Sequence, residues 1–375
     1  MASKISTIVT SLLVLIFVSC QKNNDFDPNT KEELEDAITR EVENEELISV
    51  SYCVVKNSQI LHSGAKGFAD LDNNILATNN TIYLTASISK TITAVALMQL
   101  AEQNLIALDD DINDFLPYSI RNPNHPNDKI TYRMLLSHTS SIIDDYQEQF
   151  DPIYCYDVDC PMTLEEYFND IFISGGSLFS TNNFSNNAPG EAEDYSNLAS
   201  ALVGYLVERI TAIPFDEYCK NHIFLPLGMT KTEWRLENLL VNEIAIPYDP
   251  NITNITHYTY PDYPNGGLRT NVLDLSKFLR AIILNGTLNG TQILTASSMA
   301  EMKTFQFGSN EQCLSFYFET INGEKYLGHS GGEVGATAEM YFNVNSNIGV
   351  IAFSNEEDAP LDNILSLLFS YGEKQ

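Results

Sequence analysis

Ser87-Ile88-Ser89-Lys90 places a hydroxyl and an amine three residues apart. On a helix, residues at that spacing share a face, so the amine can reach the hydroxyl. A serine hydroxyl is a weak nucleophile until a neighbouring base takes its proton. A lysine desolvated in a pocket can lose its charge and act as that base. The pair therefore suits covalent acyl transfer. The same S-x-x-K spacing recurs at Ser19/Lys22 and Ser63/Lys66, so local context must choose.

Residues 86–104 carry apolar side chains at Ile88, Ile92, Val95, Leu97 and Leu100. That is close to helical period and predicts one core helix. Thr85 and Ser87 suit its N-terminal cap. A serine there lies among unpaired N–H groups that favour developing negative charge. Ser63-Gly64-Ala65-Lys66-Gly67 carries two glycines, which predict a turn or bulge and disfavour that pair. Ser19/Lys22 ends an apolar leader.

That leader starts at Lys4 and runs apolar from Ile8 to Val18, broken by Thr10 and Ser11. It is too short to span a bilayer and suits a secretory signal. Phe17-Val18-Ser19-Cys20, followed by a polar stretch from Gln21, resembles the lipobox of bacterial lipoproteins. Residues 1–20 are then a signal, with Cys20 the lipidated terminus that anchors the protein to a cell-envelope membrane. The alternative is an ordinary secreted signal with an incidental cysteine. Export implies oxidising conditions. Cys155 and Cys160 bracket a short acidic loop and could pair. Five cysteines remain after Cys20, so pairing cannot be complete.

The chain has 375 residues, 44% of them hydrophobic, and a net charge of −30. Its few Lys and Arg do not cluster, which argues against nucleic acid as a partner. The acidity suits solubility, or a field that selects cationic substrates. The acid run 109–114 lacks the EF-hand pattern and reads as a solvated turn. No Cys/His spacing suits zinc, so no metal or cofactor is expected.

Residues 21–31 read as a tether and 32–375 as the functional domain. Residues 31–44 have a helical pattern. Residues 47–61 read as strands around a turn at 56–58. Residues 142–190 are polar and Gly/Asn-rich and read as long loops. Residues 195–210, 273–284 and 361–369 look helical, and strands alternate between. Strands at both ends around a helical middle imply a discontinuous α/β domain. A helical domain is inserted at about 85–265.

Tyr195-Ser196-Asn197 and His329-Ser330-Gly331 follow Ser87 and Lys90 in order. Pro189-Gly190-Glu191, Leu135-Leu136-Ser137-His138-Thr139-Ser140, Phe224-Leu225-Pro226-Leu227-Gly228-Met229 and Gly266-Gly267-Leu268-Arg269-Thr270 flank them. With these phrases the chain, over about 35–370, resembles the serine β-lactamase and penicillin-binding-protein superfamily, in its class C-like branch. Y-x-N also occurs at 263–265 and 341–343, and H-x-G at 62–64, so the flanking phrases and the order decide.

The resemblance implies an antiparallel sheet flanked by helices with an inserted helical domain. It implies that Ser87 attacks a carbonyl. Lys90, the Tyr195 phenol, or the two coupled, take the proton, with the Lys90 charge lowering the Tyr195 pKa. Tyr195 then protonates the leaving group. Asn197 orients substrate and Lys90. His329 and Gly331 line the substrate strand, and the N–H groups of Ser87 and Gly332 form the oxyanion hole. His138 has a structural role.

Two departures stand out. Ser141 replaces the glycine that usually follows Ser-His-Thr-Ser, so the local turn could differ. His329 stands where β-lactamases carry lysine and is a weaker anchor for a substrate carboxylate. The expected activity is hydrolysis of an amide or ester, with D-amino-acid peptides or cell-wall-type substrates leading. An esterase and a β-lactamase follow. The rival of another class is a non-catalytic surface-binding lipoprotein.

Overall fold

In a computed structural model of the chain, residues 27–144, 153–309 and 311–375 are described. Cys20, the leader and most of the tether lie outside the described residues.

The sheet is built from both ends of the chain. Strands β1 (Ser49–Lys56), β2 (Gln59–Asp70) and β3 (Ile75–Leu76) come from the first part. Strands β4 (Tyr317–Ile321), β5 (Glu324–Glu333), β6 (Ala336–Phe342) and β7 (Ile348–Ser354) come from the last. They form one antiparallel sheet in the order β4-β5-β6-β7-β1-β2-β3.

Both faces of the centre are covered. On β1, Val50, Tyr52 and Val54 face one cluster, with Leu34 and Ile38 of helix α1 (Lys31–Asn44). Cys53 and Val55 face the other, larger cluster. A slip of one residue would exchange these faces, so burial fixes the register. Each fully buried Val is worth about 1.5–3 kcal/mol. Thr30 and Glu33 start α1 with a capping box, each side chain accepting from the other's backbone N–H at 3.2 Å. The expected 31–44 helix and the paired strands are observed.

The larger cluster joins the sheet to the helical middle through α2 (Ser89–Glu102), α3 (Asn197–Thr211) and α4 (Val272–Ile283). The last helix, α5 (Asp362–Lys374), closes the opposite face.

Several expectations are corrected. Residues 63–67 are not a turn; they lie inside β2. Ser63 and Lys66 are three apart on a strand and so point to opposite faces. Lys66 pairs with Glu35 at 2.5 Å, and Ser63 accepts from Asn79. The loop region 142–190 contains a helix, Leu164–Phe172. Its start was legible as Thr163-x-x-Glu166, a capping box present in the structure. The acid run is more than a solvated turn, since Asp111 pairs with Arg121 and Asp109 with Arg133. Cys155 and Cys160 form a disulfide, while Cys53, Cys219 and Cys313 are free and buried.

Candidate active site

Helix α2 is buried on every side from Ser89 to Leu100. A helix apolar all round belongs at the centre of a domain, and it carries Lys90 there. The capping expectation fails. Thr85 makes no cap bond and donates to the Leu268 carbonyl at 3.0 Å, while Ser87 lies in a 3₁₀ turn, Ala86–Ile88, leading into the helix. Ala86 has φ +44°. Such a conformation costs a non-glycine residue ~1–3 kcal/mol. Two further bonds to Leu268 hold the turn: Thr85 N–H donates to its carbonyl at 2.9 Å, and its own N–H donates to Ser89 Oγ at 3.1 Å. This gives the Gly266–Thr270 phrase a physical task.

Lys90 is 1% exposed. Its Nζ donates to Ser87 Oγ at 2.9 Å, to Asn197 Oδ1 at 2.7 Å and to the Asn265 carbonyl at 2.9 Å. Desolvation disfavours the ammonium and lowers its pKa from 10.5 to about 7, against the opposing charges of Asp144, Asp262 and Glu333. Lys90 can therefore be a neutral base near pH 7.

Two groups in this arrangement escaped the sequence reading. Asn265 belongs to the surplus Y-x-N at 263–265, yet its carbonyl receives Lys90. Asp144 accepts from Ser196 Oγ at 3.0 Å and from the backbone N–H groups of Asn197 and Leu198 at 2.9 Å. It thereby caps α3 and fixes Asn197. No local signal marks either, because both act across the fold.

Tyr195 precedes the α3 N-cap, Ser196, so it lies outside the helix expected there. Its ring packs against His138, tilted by 31° with centroids 4.4 Å apart, and lies 5.0 Å from Lys90 Nζ. The residue is 46% exposed, while its hydroxyl faces Ser87. Burial pushes the phenol's pKa up, and the Ser87 contact only partly offsets this. The phenol's pKa is therefore raised and not lowered as expected, with burial as the main cause, and the phenol holds its proton at neutral pH. His138 Nδ1 accepts from Ser196 N–H at 3.2 Å. It supports the Tyr195 ring, as the resemblance implied.

His329 lies on β5, its Nδ1 donating to the Ser330 carbonyl at 2.5 Å. Burial and the Lys90 charge lower its pKa to about 3, so it is neutral at pH 7. Gly331 lets β5 pass the nucleophile turn: a Cβ there would stand 2.4 Å from the Thr85 carbonyl oxygen and 3.0 Å from Ser87 N. Gly332, Ser87, Tyr195 and Asn197 line one cavity of about 250 Å³.

Ser141 keeps the turn that glycine makes elsewhere. Its φ is +63°, and its hydroxyl accepts from Asn122 Nδ2 at 3.0 Å.

An antiparallel sheet, a buried central helix and a Ser-Lys pair at its start define a β-lactamase/transpeptidase-like fold of the serine-hydrolase type. The chain belongs to the beta-lactamase family, whose model matches residues 34–365. It is similar to Protein flp of Staphylococcus aureus (strain N315), with 24% identity over 333 residues, 87% of this chain and 63% of that protein. The chain thus spans less than two thirds of that relative. Among solved structures it is similar to the octameric penicillin-binding protein homologue from Pyrococcus abyssi. The TM-score is 0.72 and the identity 25%, covering 90% of this chain and 75% of that one. It is also similar to the D-amino acid amidase from Ochrobactrum anthropi SV3, with a TM-score of 0.74, 21% identity and coverage of 91% and 98%.

Proposed function

We propose that the protein hydrolyses an amide or ester through a Ser87 acyl-enzyme, with D-amino-acid amides and peptides as the leading substrates. The carrying observation is Lys90 Nζ, sealed from water, 2.9 Å from Ser87 Oγ.

In this reading neutral Lys90 takes the Ser87 proton as Oγ bonds to the carbonyl carbon. The oxyanion is held by the N–H groups of Ser87 and Gly332. One such donor is typically worth ~2.7–4 kcal/mol. The Tyr195 phenol gives its proton to the leaving amine or alcohol and regains one from Lys90. Water then attacks the acyl-enzyme, its proton returns through the same groups, and Ser87 is restored as the acid departs. Asn197 and Asn265 hold Lys90 in place.

The name of a D-amino acid amidase among structures of this fold supports the D-amino-acid class. Neutral His329 supports it over β-lactams, whose carboxylate needs a cation. The test is a panel of D-alanyl peptides, amino-acid amides, short esters and a chromogenic cephalosporin, run beside Ser87→Ala. A fluorophosphonate should label the native protein at Ser87. Equal labelling of Ser87→Ala would sink the reading in favour of a binding lipoprotein.

The N-terminal leader supports export and a lipid on Cys20. Metabolic labelling with an alkyne fatty acid should mark the native protein. Label retained in Cys20→Ala would refute the anchor.

A further inference from the structure

The cavity in front of Ser87 is walled by acids and phenols. Asp262, Glu333, Tyr154 and Tyr260 all line it. Asp262 is buried and accepts from Asn265 Nδ2 at 2.7 Å, with the Tyr167 hydroxyl as a second hydrogen-bonding neighbour. One oxygen of Glu333 accepts from the Tyr154 hydroxyl at 3.2 Å and from Val334 N–H at 2.9 Å. Among the described residues no donor reaches its second oxygen.

Tyr260 supplies an independent sign of a missing ligand. It is 7% exposed, lines the cavity, and its hydroxyl has no hydrogen-bond partner. The hydroxyl lies 2.5 Å from where a Cβ on Gly266 would stand, and the Ala86 carbonyl carbon is 3.8 Å from the same point. The phenol thus sits beside the nucleophile turn. A buried hydroxyl left unpaired loses its hydration with no hydrogen bond in return.

Cations are missing where a carboxylate would need one. No Lys or Arg is among the described residues lining the cavity. Lys90 Nζ is already engaged by Ser87, Asn197 and Asn265, and burial lowers its pKa to about 7. His329 is neutral at pH 7. Burial raises the pKa of both acids, Asp262 to about 7, so near neutral pH an anionic substrate would meet two partly ionised acids and no counter-charge. An ammonium would favour the ionised form of both acids and would meet a free phenol oxygen and the rings of Tyr154 and Tyr260, whose centroids are 6.1 Å apart.

We propose that this cavity selects acyl donors bearing a free ammonium group, namely amino-acid amides, amino-acid esters and short peptides with an unblocked α-amine, held by Glu333 and Asp262 with the Tyr260 oxygen completing the acceptors. The proposal rests on the Ser87 acyl-transfer reading and adds its substrate class. Position fits an α-amine: Glu333 follows Gly332, the proposed oxyanion donor, and consecutive strand residues rise only about 3.3 Å. The ammonium is a spectator in the chemistry. The acyl C–N or C–O bond breaks, the Ser87 Oγ–C bond forms, and the Ser87 proton leaves with the amine or alcohol. Selection for amines sets the site apart from carboxylate-anchored relatives. The chain's net charge of −30 adds long-range attraction for cations.

The test is competition for fluorophosphonate labelling of Ser87 by D- and L-phenylalaninamide and by their N-acetyl derivatives. A free amide should halve labelling at a concentration roughly tenfold below that of its N-acetyl form, as expected for a desolvated charge pair. Glu333→Gln should shrink that ratio to about threefold or less. Tyr260→Phe should shrink it in the same direction, and serves if the first variant does not fold. N-acetyl compounds competing as well as free amines, or a ratio unmoved in a folded variant, would overturn the ammonium proposal while leaving acyl transfer intact. Absence of Ser87 labelling would overturn both.

Discussion

Gly331 passes so close to Thr85 that a Cβ would stand 2.4 Å from the Thr85 carbonyl oxygen. Strand β5 and the nucleophile turn share that gap, and the proposed oxyanion site depends on it. Gly331→Ala must push the strand or the turn aside. Loss of one aligned donor costs about 10²–10³-fold in kcat. We expect a loss of that size, with a circular dichroism spectrum like that of the native protein. Full activity in Gly331→Ala would show that the strand does not set the site.

The Lys90 pKa of about 7 fixes a pH profile. The neutral amine is the active base, so kcat/KM should rise with pH and level off above about 7. Asp144 is one of the charges that favour the Lys90 ammonium. Its removal in Asp144→Asn should move this acidic limb to lower pH, and the weakened α3 cap should cost about 1 kcal/mol in urea unfolding. A limb that stays in place or moves upward contradicts the assignment of Lys90 as base.

Tyr195 keeps its proton in this site, which makes it a donor to the leaving group. A fluorophosphonate expels fluoride, which needs little help from an acid. Tyr195→Phe should therefore still be labelled at Ser87 while losing ~10²–10⁴-fold in amide turnover. Parallel loss of labelling and turnover would instead make Tyr195 the base.

Ser141 adopts a glycine-like φ of +63°. Asn122 Nδ2, its hydrogen-bond donor, also reaches the carbonyls of Ser185 and Asn187 at 2.9 and 3.1 Å. Ser141→Gly relieves the backbone and leaves Asn122 satisfied. Removal of the strain is worth about 1 kcal/mol, less what glycine adds to the freedom of the unfolded chain. The denaturation midpoint should hold or rise slightly. A clear fall would show that the Ser141 hydroxyl is worth more than the strain.

Much of the frame was legible in the sequence. Helix α1 and the central strands follow from apolar period and turn residues, which are local properties. The helix at Leu164–Phe172 was legible as well, through Thr163 and Glu166, but the polar composition around it masked the signal. Residues 63–67 were misread because glycines near a turn resemble glycines inside a strand until its partners are known.

The sequence by itself determined the family, the order of its motifs and the pairing of Ser87 with Lys90, because spacing along one turn is encoded locally. Only the tertiary structure decided which Y-x-N residues meet Lys90, and it brought two of them, Asn197 and Asn265. It also decided the protonation of the site. Lys90 is shifted toward neutrality, Tyr195 is kept protonated and His329 neutral, since burial and the distances between charges arise only when distant segments pack together. The placement of Asp262 and Glu333 on one cavity wall has the same origin: 71 residues separate them in the chain, and only the fold gives them a shared ligand to hold.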